Sequence, residues 1–439
     1  MSLRPETTRQ VDALVADAQV AGHVPSLILG VVRDGTLAHV ATAGSHPAPD
    51  ADLQFRIGSI TKTMTAVLIM QERDGGRLAL DDPLRRHLPE ADAAGPVTLR
   101  QMLGHISGLQ REPDGPWWER SDGVDLPTLL AGFSAAKIAY PPHRTFHYSN
   151  LAYALLGAAL ERITKTPWAQ LLSERILDPL GMDRTTYAPT APFAPGYVVH
   201  PWHDTLREEP RADTGAMAPA GQLWSTVADL ARWAAFLAEP DPAVLAPETV
   251  DEMCVPMAMI DPDSWRAGPG LGLALHREGE RVYTGHGGSM PGYLAVLEVH
   301  RPSRTGVVGF TNAYSFRSGG LGTLGRQLLT QVLDAEPTPA RPWRPVDAPP
   351  PADVAALTGR WWWMGLPLDV TWDAATGDLL GTMPGDPVSR FVPQGPDRWR
   401  AVSGEENGEV LAVLRDDNGT LVALDIATFV FTRSPDDAP

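Results

Sequence analysis

The chain has 439 residues, too many for one small domain and enough to bury a sizeable core. With 43% hydrophobic and 20% charged residues it is not a disordered chain. Its 36 basic against 53 acidic residues, a net charge of −17, argue against nucleic acid and anionic membrane surfaces as partners. The single cysteine, Cys254, excludes an intrachain disulfide and a cysteine-held metal cluster. Residues 1–25 show no extended apolar run of the signal-peptide kind, and no stretch is long and apolar enough to span a membrane, so a cytoplasmic location is expected. Only Lys62, Lys137 and Lys165 are lysines; every other basic residue is arginine. A rare lysine draws notice because lysine, unlike arginine, can lose its proton under working conditions.

In chain order, Val11, Leu14, Val15 and Ala18 recur at helical spacing and predict a helix from Thr8 to Ala21. Ser26–Arg33 and Thr36–Ala43 flank Asp34-Gly35 and read as a hairpin. Between about 60 and 240 the pattern is helical with Pro- and Gly-rich loops, including helices over Ile60–Glu72 and Leu151–Thr164. From about 270 the texture changes to strands at Leu271–Arg277, Arg281–Thr284, Tyr293–His300 and Thr305–Thr311, followed by a helix over Leu321–Leu333. Strands at both ends around a helical middle imply an α/β domain over 1–336, with an antiparallel sheet flanked by helices plus an all-helical region. Clustered prolines mark a linker over 337–351. Residues 352–439 carry Trp361, Trp362, Trp363, Trp372 and Trp399 among short alternating segments, the pattern of a small antiparallel β-barrel or sandwich.

Ser59-Ile60-Thr61-Lys62 opens the second predicted helix, and a spacing of three places hydroxyl and amine on one face. A serine hydroxyl is a poor nucleophile until a base takes its proton, which a buried lysine of depressed pKa can do. The helix N-terminus adds N–H groups and positive potential where an acyl oxyanion would form. Ser134 and Lys137 repeat the pattern but precede Pro141-Pro142, and read instead as a solvated helix end. Phe146-His147-Tyr148-Ser149-Asn150 stands before the Leu151–Thr164 helix, where Tyr148 and Asn150 can project together. A phenol beside a lysine can shuttle a proton; taken alone, the commonplace Tyr-x-Asn pair reads by default as a buried tyrosine and a capping asparagine. Thr284-Gly285-His286-Gly287-Gly288-Ser289 closes a predicted strand, either as a glycine-rich turn or as backbone that must approach an acyl group closely.

In this order the three motifs resemble the serine β-lactamase and penicillin-binding-protein family, particularly its class C-like branch of D-aminopeptidases, carboxypeptidases and esterases. The resemblance covers about residues 8–335, with Leu103–Leu109 and Gly221–Thr226 as further family-like segments. The tail resembles the lipocalin-like barrel attached to some members. The resemblance implies a β-lactamase/transpeptidase-like fold, with Ser59 as acylated nucleophile, Lys62 as its base, Tyr148 as proton relay and Asn150 binding a substrate amide. It also implies substrate contact along His286, Gly287, Gly288 and Ser289, with the backbone N–H groups of Ser59 and Ser289 as oxyanion hole. Many relatives place Lys-Thr-Gly where this chain has His286-Gly287-Gly288, so a cation that helps hold a substrate carboxylate is missing.

No Gly-x-Ser-x-Gly elbow occurs, and neither His143 with His147 nor His200 with His203 has zinc-site context, so neither metal nor cofactor is expected. The tail tryptophans are expected to pack a barrel core, and Cys254 to be a buried thiol. The expected activity is a serine hydrolase or acyltransferase working on ester or amide bonds of small acyl compounds or peptides, D-configured ones included. A rival is a stand-alone thioesterase of the penicillin-binding-protein type that releases and macrocyclises nonribosomal peptides from a peptidyl carrier protein. The non-catalytic alternative is a binding or scaffold protein that keeps the fold.

Overall fold

The computed structural model describes residues 2–436 apart from 318, 338–342 and 348. The chain divides into two compact units, Met1–Thr338 and Pro339–Pro439. Of the expected linker, residues 338–342 and 348 lie outside the described residues. Among the described residues no helix is long and apolar enough to cross a membrane.

The first unit is built on a seven-stranded, wholly antiparallel sheet. Its strands are β1 (Ser26–Arg33), β2 (Thr36–Gly44), β3 (Ala267–Pro269), β4 (Ala274–Glu278), β5 (Arg281–Met290), β6 (Tyr293–His300) and β7 (Thr305–Thr311), in the order β2-β1-β7-β6-β5-β4-β3. Asp34 and Gly35 both take positive φ, the backbone a two-residue hairpin turn needs between β1 and β2. Almost every residue of β1 is buried because both faces of the sheet are covered. Leu27, Leu29 and Val31 pack with Val11 and Val15 of α1 (Pro5–Gly22) and with Leu324 and Leu328 of α5 (Leu321–Ala335). Ile28 and Val32 face the other way, into the core of the helical region.

That second core encloses α2 (Thr61–Asp74), α3 (Asn150–Thr164) and α4 (Val227–Ala238). Helix α2 is buried on all sides, which a helix can be only if its polar groups are satisfied. Thr63 Oγ1 donates to the Ile60 carbonyl at 2.7 Å and accepts from Trp233 Nε1 at 2.9 Å. Thr65 Oγ1 likewise donates to the Pro219 carbonyl at 2.9 Å and accepts from Trp168 Nε1 at 3.2 Å.

Two strand boundaries differ from expectation. The segment 271–277 is broken, its strand starting at Ala274 after Gly272 turns the chain at φ +81°. Strand β5 runs on to Met290, so His286–Ser289 lies inside a strand instead of ending one; the turn falls at Pro291-Gly292. Glycine is what permits the extension. A Cβ at Gly285 would sit 1.8 Å from the Leu297 carbonyl oxygen, and one at Gly288 would sit 1.9 Å from that of Ile57.

In the second unit eight strands between Gly359 and Phe431 follow one another as an antiparallel meander. Backbone hydrogen bonds of 2.7 and 2.9 Å between Trp362 and Thr432 nearly close it into a barrel. Trp361 and Trp399 are buried with Leu379, Phe391 and Leu424, so they are core residues, while Trp363 packs part-buried on Phe429.

Candidate active site

Ser59 lies in a tight turn, Gly58–Ile60, that leads directly into α2. Gly58 has φ +50°, and a Cβ there would lie 2.5 Å from Ser289 N and 2.6 Å from Ser289 O. The turn that carries Ser59 is therefore docked backbone to backbone on β5. This close approach sets the Ser289 backbone against Gly58, the residue before the serine.

Lys62 is one turn further along α2, wholly buried, with Nζ donating to Ser59 Oγ at 3.0 Å and to the Ala220 carbonyl at 2.6 Å. The rings of Tyr148 and Tyr153 stand 5.1 and 5.6 Å from Nζ. Burial drives the lysine pKa down to about 7; Glu119 and Glu112 oppose the drop and Arg111 adds to it. Near neutral pH, about half of these amines are uncharged and able to accept a proton.

The Tyr148 hydroxyl shares a hydrogen bond with Ser59, and burial raises its pKa above the ordinary tyrosine value, so the phenol stays protonated at neutral pH. Its ring stacks on His105 at 4.3 Å between centroids, and the Arg111 guanidinium lies 5.3 Å from its centroid. His105 is buried and neutral, its pKa lowered chiefly by desolvation, and Nδ1 accepts from Ser149 N at 3.1 Å. Ser149, not Asn150, caps α3, accepting from Ala152 N at 3.0 Å. Freed from capping, Asn150 gives Nδ2 to both carboxylate oxygens of Glu112, each at 2.9 Å.

His286 faces the same cleft, its ring centroid 6.2 Å from that of Tyr148, and its Nδ1 donates to the Gly287 carbonyl at 2.5 Å. Burial, and then the nearby Lys62, lower its pKa to about 4, so it carries no charge at neutral pH. Beside Gly287, a Cβ would meet open space.

The structure thus brings Ser59, Lys62, Tyr148, His286 and Ser289 together. It excludes the second Ser-x-x-Lys copy and corrects its reading. Ser134 merely precedes a short turn, and Lys137 is buried, not solvated, because it pairs with Asp114 and its carbonyl accepts from Gln110 N. Cys254 is half-buried, accepting weakly from Thr284 and Arg301. Several contributors carried no sequence signal of their own. Ala220 offers only a carbonyl, and Glu112 and Arg111 sit in an irregular loop. Arg56 is buried under Trp224 with its pKa lowered by desolvation to about 10, and donates to Gln222 Oε1 at 3.2 Å. Gln222 Oε1 in turn accepts from Thr214 N at 3.1 Å and from Thr214 Oγ1 at 2.8 Å.

Residues 11–329 match the family described as Beta-lactamase, and the chain belongs to that family, whose members include serine peptidases, esterases and amidases. Residues 350–433 match a family described as Domain of unknown function (DUF7586). The chain is similar to the D-alanyl-D-alanine-carboxypeptidase/endopeptidase AmpH of Escherichia coli (strain K12), at 33% identity over 43% of this chain and 50% of AmpH. Among solved structures it is similar to a D-stereospecific amidohydrolase from Streptomyces sp., with 27% identity, TM-score 0.63, and 75% and 98% of the two chains covered. It is also similar to SurE, with 27% identity, TM-score 0.61, and 98% and 99% covered; SurE has been solved with D-Leu as well. The chain spans about half the length of AmpH.

Proposed function

We propose that this protein is a serine hydrolase or acyltransferase that forms an acyl-enzyme on Ser59 and cleaves amide or ester bonds of small, D-configured acyl compounds or peptides. The observation that carries the reading is the 3.0 Å contact between Ser59 Oγ and a wholly buried lysine whose charge is disfavoured. Neutral Lys62 takes the Ser59 proton as Oγ attacks the carbonyl carbon. The backbone N–H groups of Ser59 and Ser289 receive the oxyanion. Tyr148, protonated at rest, gives its proton to the leaving group and is recharged from Lys62. Water or an amine then attacks the ester, Lys62 takes the incoming proton and returns it to Ser59 Oγ as the acyl–oxygen bond breaks, and the product leaves with Ser59 and neutral Lys62 restored. Open space beside Gly287 gives the substrate room along β5.

The D-preference is supported by the similarity to a D-alanyl-D-alanine peptidase, a D-stereospecific amidohydrolase and a protein solved with D-Leu. Turnover of D- and L-alanine 4-nitroanilides by wild type and Ser59→Ala tests both parts. Faster turnover of the D-isomer, lost in the variant, is expected. Equal rates for the isomers would remove the stereochemical reading, and unchanged turnover in Ser59→Ala would remove the nucleophile.

A further inference from the structure

The segment Leu103–Leu109 runs alongside the residues that lead into α3, and its contacts converge on Tyr148. His147 N donates to the His105 carbonyl at 2.8 Å, and Ser149 N donates to His105 Nδ1 at 3.1 Å. The His105 ring stacks on the phenol between them, 4.3 Å between centroids and 27° from parallel. One residue thus holds the chain on both sides of Tyr148 and the phenol ring itself. His105 is fixed in turn. It is buried, its own N–H donates to the Met102 carbonyl at 3.2 Å, and its φ of +53° is one that histidine and asparagine adopt more readily than most side chains. Its ring also lies 5.2 Å from that of Tyr153, whose hydroxyl donates to the Leu103 carbonyl at 2.9 Å. A backbone N–H only donates, so Nδ1 accepts and the ring proton sits on Nε2.

We propose that His105 is a positioning residue that holds the Tyr148 hydroxyl where it hands its proton to the leaving group, so that cleavage of amides and alkyl esters depends on His105. The inference rests on acylation at Ser59. An alkoxide or an amine anion is too basic to depart unaided. As its bond to the acyl carbon breaks, its electron pair takes the Tyr148 proton, and Lys62 reprotonates the phenolate. 4-Nitrophenolate spreads its charge onto the nitro group and departs as the anion, so it makes no such demand.

The test is the ratio of kcat/KM for the methyl ester to that for the 4-nitrophenyl ester of N-acetyl-D-alanine, which give the same acyl-enzyme and differ in their need for the proton. His105→Phe keeps an aromatic ring and removes the acceptor; the ratio should fall roughly tenfold to a hundredfold, a share of a general-acid contribution. In His105→Asn, whose Oδ1 takes the place of Nδ1, the ratio should return most of the way to the wild-type value. A purely structural role for His105 would lower both rates together; an unchanged ratio in His105→Phe therefore overturns the proposal, as does an equal loss in His105→Asn. Tyr148→Phe should lower the ratio at least as far, and adding His105→Phe to it should lower it no further, whereas additive losses would show that His105 does not act through Tyr148. In wild type carrying isotope-labelled histidine, NMR should find the His105 proton on Nε2 at neutral pH. A proton on Nδ1 overturns the proposal without any variant. Turnover of both esters that is insensitive to Ser59→Ala would instead remove the acyl-enzyme reading, and this inference with it.

Discussion

Replacing Lys62 by arginine keeps a cation on α2 but removes the ability to titrate. A lysine at its ordinary pKa of 10.5 is neutral in roughly one molecule in three thousand at pH 7, whereas burial brings Lys62 to about 7 and makes about half the molecules competent as a base. The site therefore gains about three decades in base concentration from burial alone. Arginine does not deprotonate in this range. Lys62→Arg should lose about 10²-fold or more in acylation rate, the scale of a general-base contribution. The assay is kcat/KM for a neutral 4-nitrophenyl ester between pH 5 and 9. In wild type the rate should climb through pH 7 as the amine deprotonates and level off above it, because Tyr148 stays protonated in this range. The variant should show neither the climb nor the plateau. Near-normal turnover by Lys62→Arg would refute the argument, showing that charge, not titration, is what the site needs.

Burying Lys62 also affects stability. The unfolded chain keeps this proton up to about 10.5 and the folded chain only to about 7, so wild-type stability from this group rises with pH across that window. Lys62→Met should consequently be more stable than wild type at pH 6 in urea titrations, with the advantage shrinking by pH 9; a constant difference would contradict the cause. Gly58→Ala forces a Cβ to within 2.5 Å of the Ser289 backbone at φ +50°, and should lose roughly 1–3 kcal/mol of stability and at least tenfold in ester turnover. An unchanged rate would show that the docking of the turn on β5 is dispensable. Because His286 is uncharged at neutral pH, penicillins should be poor substrates beside neutral esters. His286→Lys should raise kcat/KM for a carboxylate-bearing substrate by about one to two decades, the scale of one charge-assisted hydrogen bond. Efficient penicillin hydrolysis by wild type would contradict this account of the strand.

What was legible in the sequence was local in origin. Ser59 and Lys62 could be paired because three residues make one helical turn, and the β1–β2 hairpin because Asp34-Gly35 fits a turn with two positive φ angles. The glycines at 285–288 were visible, but not that they continue a strand. That depends on the carbonyls of Ile57 and Leu297 pressing on them, a contact made across more than two hundred residues in the first case. The buried state of Lys137 was misread for a related reason, since its partner Asp114 lies in an irregular loop with no periodicity to place it. Residues that tune the site escaped for the same reason. The Ala220 carbonyl, the Glu112 carboxylate and the His105 ring act only through tertiary proximity.

The central claim is that Ser59 is the nucleophile, and active-site labelling tests it most directly. Wild-type protein treated with a fluorophosphonate, digested and mapped by mass should carry the adduct on the peptide containing Ser59, while Ser59→Ala takes up none. An adduct on Ser134, or undiminished labelling of Ser59→Ala, would contradict it.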